Sequence, residues 1–191
     1  MLVMVAVVAG AAPGGVRAQH GEEGREGGAA APPEPSGYRT ESYRAPVPAT
    51  LAGARVLTTP EVEALWRDKA AVFVDVLPRA PKPANLPPGT VWRDRPRSDI
   101  PGSVWLPDTG YGELAAATQE YLQRGVERVT GGDRERLVVV YCLRDCWMSW
   151  NAARRLVAMG YRNVAWYPDG TDGWGEALLP LADAQPAPGQ P

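Results

Sequence analysis

Between Arg136 and Cys142 the chain reads Leu-Val-Val-Val-Tyr with no polar interruption, and this run constrains the fold more than any other feature. Branching at Cβ favours extended backbone. An apolar run without alternation is the pattern of a strand covered on both faces, as in a parallel sheet. A second run, AVFVDVL over residues 71–77, has the same character. Parallel neighbours need long connections, usually helical, and helical patterns stand where they are needed. Thr59 supplies a hydroxyl cap, Pro60 a first helical residue and Glu61 and Glu63 an acidic first turn before AVFVDVL. Residues 111–129 and 147–159 have helical spacing, the second closing at Gly160, while SVWLP at 103–107 and NVAWYP at 163–168 read as strands. The alternation predicts an α/β fold with a central parallel sheet and helices on both faces. Residues 78–102 are crowded with proline, which fixes φ and removes donors, so no regular structure is expected there.

With 45% hydrophobic and 22% charged residues in 191, the chain can fill one core, which sets aside disordered and multi-span membrane classes. A net charge of −2 with both signs interspersed offers no field for nucleic acid or anionic lipid. Residues 1–18 join an apolar stretch, Leu2 to Ala12, too short to span a bilayer, to small residues ending at Ala18. They read as a signal peptide, implying a periplasmic protein with no membrane span in its mature form. Residues 19–37 hold no large apolar side chain and read as a disordered linker; residues 182–191 read as a disordered tail. One domain is expected over 38–181.

The chemistry centres on Cys142 and Cys146. Cys142 ends the most strand-like run just before a helix, at the carboxyl edge where open α/β sheets place ligands. Amides and the helix dipole there favour a thiolate, so Cys142 is expected to be reactive; the plainer alternative is a cysteine that only packs. Residues four apart in a turn can meet the Cα separation of about 4.4–6.8 Å that a disulfide needs. So short a loop stabilises by only about 2 kcal/mol. Three states stay open: an exchange-active dithiol with Cys142 attacking and Cys146 resolving, a structural bridge, or unpaired thiols. Around the pair, Asp145 either raises the thiol pKa by repulsion or faces water. Trp147 shields the sulfurs, meets a partner or packs, and Trp150 reads as core. Asp75, at the end of its strand on the same edge, either orients the loop or caps local backbone. Asp169 and Asp172 read as turn residues. No cofactor is expected, although Cys142, Cys146 and the Met148 thioether would suit Cu(I). The sole histidine, His20, sits in the linker, and two cysteines do not make a four-ligand zinc site. Nucleotide-binding glycine motifs, haem-attachment motifs and hydrolase triads are absent from the sequence.

The segment VVVYCLRDCWMSWNAARRLVAMGYRNVAWYPDGTDGW resembles the active-site half of rhodanese-like domains. VFVDVLPR resembles their Asp-Val-Arg strand and DIPGSVWLP their Ile-Pro-Gly-Ala segment, so the likeness covers about Thr58 to Trp174. More narrowly, Cys-x-x-x-Cys-Trp with Met148 to Ala153, and the upstream GYRTESYRAPVPATLAGARV, are similar to exported CXXXCW-motif proteins associated with PQQ-dependent alcohol catabolism. The resemblance implies a rhodanese-like fold, a redox role and a periplasmic redox or quinoprotein-system protein as partner. Sulfurtransferases of this fold close a six-residue loop with an arginine five residues after the cysteine, forming an anion cradle. Here Trp147 holds that position, the loop to Ser149 is one residue longer, and Arg144 is its only cation, as a cradle or simply solvated. This departure speaks against ordinary rhodanese activity and leaves a persulfide on Cys142 as an alternative.

Overall fold

In a computed structural model, residues 30–91 and 96–191 are described. In chain order they form β1 (Ala54–Val56), α1 (Thr59–Arg67), β2 (Val72–Asp75), β3 (Arg97–Asp99), β4 (Val104–Trp105), α2 (Ala116–Thr130), β5 (Val138–Tyr141), α3 (Trp147–Ala158), β6 (Val164–Tyr167), α4 (Gly170–Glu176) and β7 (Ala182–Ala184). The main sheet has the order β1-β6-β5-β2-β4 and is parallel throughout, with β5 at its centre as its uninterrupted apolar run predicts. Register places Tyr141 beside both Asp75 and Tyr167.

Alternation along β5 divides two cores. Val138, Val140 and Cys142 join Tyr121 and Leu122 of α2 and Trp150 and Leu156 of α3. Val139 and Tyr141 join Val62 of α1 and Trp174 of α4 on the other face. All three valines are at 0% exposure, and burying each stabilises by about 1.5–3 kcal/mol. Helices therefore cover both faces, as expected. No helix among the described residues is long and apolar enough to cross a membrane.

Several elements depart from the sequence reading. The cap of α1 is Thr58, whose N–H reaches Glu61 at 2.8 Å in a capping box, while Thr59 bonds the Tyr167 hydroxyl. Helix α2 begins at Ala116 instead of residue 111. The proline-rich segment holds β3, because Arg97, Ser98 and Asp99 lie between Pro96 and Pro101 with their amides free to pair. Its partner is β7, antiparallel, so residues 182–191 are not the expected disordered tail. The Trp105 carbonyl also accepts the Ala187 N–H there, at 2.8 Å. Asp172 lies within the first turn of α4 instead of in a turn, whereas Asp169 stands in the turn just before the helix, as expected. Three glycines give α4 little propensity of its own, and the fully buried Trp174 holds it to the core. Residues 34–36, expected to belong to the disordered linker, are tied down: Glu34 accepts from Thr50 and Ala52, and the Pro35 and Ser36 carbonyls accept from Arg154. The expected signal peptide and residues 19–29 of the linker lie outside the described residues.

Candidate functional site: a buried cysteine pair under a strap

Strand β5 stops at Tyr141, and α3 starts at Trp147, so the two cysteines bracket the connection. Cys142 and Cys146 are joined as a disulfide with Cα atoms 6.5 Å apart, inside the range expected for such a pair. The N-cap of α3 is Cys146 itself, so the helix terminus lies at the second cysteine. Both are buried, at 0% and 2% exposure.

The loop is gripped from three directions. From α4, Thr171 donates its N–H to the Cys142 carbonyl at 3.0 Å. Gly170, at φ 51°, lies so close to that carbonyl that a Cβ would overlap it, and glycine is the residue that adopts this backbone without penalty. Asp172 accepts the Arg144 N–H at 3.0 Å. The Arg144 guanidinium is bidentate on Glu176, at 2.6 and 2.7 Å, and reaches Asp169 at 3.2 Å. The hydrogen bonds it donates to Glu176 lead the causes that raise its pKa above the ordinary arginine range. Arg144 is thus not a free cradle; its partly exposed guanidinium ties the loop to α4. Asp145 is exposed, with a left-handed φ of 51° that aspartate tolerates better than most residues.

From the sheet, Asp75 is fully buried and pairs with Arg97 at 2.5 Å while accepting the Leu77 N–H at 2.8 Å. Arg97 extends to the Thr171 hydroxyl at 3.0 Å and to the Cys142 carbonyl at 3.5 Å. Asp75 therefore both caps local backbone and, through Arg97, braces the cysteine loop. Beside them Asp99, 2% exposed, accepts from the Tyr141 hydroxyl and the Ile100 N–H, and its second oxygen has no partner among the described residues. Burial, then the charge of Asp75, raises the Asp99 pKa to about 7. Burial also leads the causes that hold the Asp75 carboxyl above, and the Tyr141 hydroxyl well above, their ordinary ranges.

This cluster carries a pH signature. Because the folded Asp99 pKa of about 7 lies above the unfolded value near 3.9, the folded state binds the extra proton between them. Unfolding free energy should therefore fall as pH rises from about 4 through about 7, by roughly 2–4 kcal/mol. The exposed carboxylates Glu34, Glu61 and Glu176 have lowered pKa values and act with the opposite sign, below their ordinary range. Urea unfolding between pH 5 and 8 isolates the first effect; Asp99→Asn should flatten the slope, and an unchanged slope would assign it elsewhere.

The third grip is a strap of residues 38–45. Its Tyr43 carbonyl accepts the Trp147 N–H at 2.9 Å, its Ala45 N–H reaches the Asp145 carbonyl at 3.1 Å, and Arg44 forms an antiparallel bridge with Cys146. Asn151, fully buried on α3, holds the strap by its side chain, accepting the Arg39 N–H at 2.9 Å and donating to the Arg39 carbonyl at 2.8 Å. Arg39 lies over the Trp147 ring at 5.3 Å, and Trp147 meets Trp150 edge-on at 5.4 Å. Trp147 is thus packed, with the strap as its cover. Ser149 donates to the Cys146 carbonyl at 3.1 Å and accepts from Trp166 at 3.0 Å. Met148 is buried so tightly against Gly110 that a Cβ there would lie 2.5 Å from its own Cβ. The sequence reading missed Arg97, Asp99, Thr171 and the strap, whose roles depend on partners distant in the chain; the polar Asn151 within an apolar helix was the one local signal.

The rhodanese-like domain model matches residues 58–177. Among solved structures, a thiosulfate sulfurtransferase from Pseudomonas aeruginosa is 23% identical, with a TM-score of 0.48, covering 70% of this chain and 21% of its own. This chain thus spans about a fifth of that protein's length. A polysulfide-sulfur transferase homodimer from Wolinella succinogenes is 17% identical, with a TM-score of 0.44 and coverage of 70% and 82%. A search of curated proteins finds no match. With more than half of its residues matched, from the cap of α1 to the end of α4, the chain belongs to the rhodanese-like domain family.

Proposed function

We propose that this rhodanese-like chain is an exported thiol–disulfide redox protein whose Cys142–Cys146 pair exchanges two electrons and two protons with a partner protein. The observation that carries the reading is the closed pair at the carboxyl edge of β5, in a loop whose own cation is already bound to Glu176 and Asp169. A loop so occupied is poorly suited to cradle an anionic sulfur donor, so sulfur transfer through a Cys142 persulfide is the weaker alternative. In the exchange, a partner thiolate attacks one sulfur, the Cys142–Cys146 bond breaks, and a mixed disulfide forms. The partner's second thiolate then resolves it, leaving this pair reduced and the partner oxidised. In the reverse direction Cys142 is the attacking thiolate and Cys146 the resolving thiol. The partner is a redox protein of quinoprotein alcohol metabolism, a reading that rests on the CXXXCW resemblance alone.

Burial of both sulfurs favours a second reading, a structural staple. The reduction potential separates the two, measured by intact mass after thiol blocking across glutathione buffers. A reversible change of two protons in mass with a potential between about −120 and −270 mV is expected for an exchange-active pair. A potential below about −300 mV would make the bond a staple and end the redox reading. Tight Cu(I) binding by the reduced protein, dependent on Met148, would instead support a soft-metal carrier.

A further inference from the structure

Helices α1 and α4 are short, nine and seven residues, and part of the sheet face they cover stays open beyond the C-terminus of α1. A pocket of about 720 Å³ lies there, beside the starts of β2, β4 and β5 and so at the opposite edge of the sheet from the cysteine pair. Trp66, Pro101 and the more deeply buried Phe73 give it apolar walls. The Trp66 ring is fixed in place, because its indole N–H donates to the Pro101 carbonyl at 2.8 Å and its ring meets Trp174 edge-on at 5.4 Å. That wall is therefore formed before any ligand arrives.

Three cations stand in the same lining, Arg67, Lys69 and Arg136, with no acidic residue among them. Arg67 is already held by Glu63, through its Nε at 2.8 Å and its Nη2 at 2.6 Å. Lys69 and Arg136 are exposed and form no ion pair among the described residues, so their charges are open to a ligand entering from solvent. Lys69 also follows the C-cap of α1 with a φ of 52°, a left-handed conformation that glycine usually supplies. We propose that this pocket binds a small aromatic carboxylate, with its ring against Trp66 and Pro101 and its charge on Lys69 and Arg136. A fixed indole wall favours a flat ring, and cations at a wet rim attract an anion without the cost of burying one. The two halves discriminate together: an uncharged ring gives up the cations, and a bare inorganic anion gives up the walls.

The test titrates the purified full chain with 2-naphthoate by calorimetry, with 2-naphthalenemethanol and inorganic phosphate as comparisons at equal ionic strength. Saturable binding of 2-naphthoate with a dissociation constant below about 1 mM is expected, and none of comparable strength for the other two. The double change Lys69→Gln with Arg136→Gln, at two exposed positions, should weaken it at least about fivefold through the loss of both charge contacts. Ala71→Leu provides the second arm, since its larger side chain fills the pocket without touching either cation and should abolish binding. Thermal unfolding of each variant separates lost binding from lost folding. Absence of saturable 2-naphthoate binding, equal binding of the alcohol or of phosphate, or an affinity unchanged in the double variant would each overturn the proposal.

Discussion

Asn151→Ala is expected to accelerate reduction of the Cys142–Cys146 disulfide by dithiothreitol by about tenfold to several hundredfold. The side chain makes three hydrogen bonds, two to Arg39 of the strap and one to the Gly110 carbonyl at 3.0 Å. Losing them removes about 1.5–4 kcal/mol from the closed arrangement at the usual net value per bond, and each 1.4 kcal/mol is a tenfold change in an opening equilibrium. A thiol reaches the buried sulfurs only through an open form, so the rate follows that equilibrium. Val62→Ala is the control: Val62 is fully buried in the core of the opposite face, and its truncation weakens the domain without touching the strap. Equal acceleration in both variants would mean that the reductant waits for global unfolding, and the strap would lose its role as a gate.

Arg97→Ala should destabilise the domain by about 3–5 kcal/mol at neutral pH, because it leaves the fully buried Asp75 without its cation. In a domain of this size that is a fall of roughly 10 °C in Tm. The loss should shrink as pH falls. Without Arg97 the already raised Asp75 pKa rises further, so protonation relieves the unpaired charge at mildly acidic pH. Adding Asp75→Asn to Arg97→Ala should recover part of the stability, whereas independent losses from the two changes would show that the pair does not act as a unit. Thermal unfolding at pH 5 and pH 7.5 of the single and double variants decides it.

The sequence exposed those features whose cause is local. The valine run of β5 carries its own β-branched signal and its two-faced burial, so the central strand, its parallel setting and the position of Cys142 at its edge were all legible. The spacing of Cys142 and Cys146 likewise bounded their geometry. What escaped depends on pairing across the chain. β3 and β7 are three residues each, and neither has a pattern until the other lies beside it. Glycine-rich α4 reads as a turn by propensity and is a helix because Trp174 has a core to enter. The Asp75–Arg97 pair spans 22 residues across a proline-rich segment, and nothing near either residue names the other. Arg144 looked free for the same reason, since Glu176 lies 32 residues away.

Trp147 follows Cys146 directly, is 3% exposed, and stands edge-on to Trp150. A disulfide accepts an electron from a nearby excited indole far more readily than a pair of thiols does, so closing the bond darkens its aromatic neighbours and opening it restores their emission. Emission from Trp147, which lies under the Arg39 side chain, is therefore expected to rise when the disulfide is reduced, a change that steady-state fluorescence with and without dithiothreitol would read.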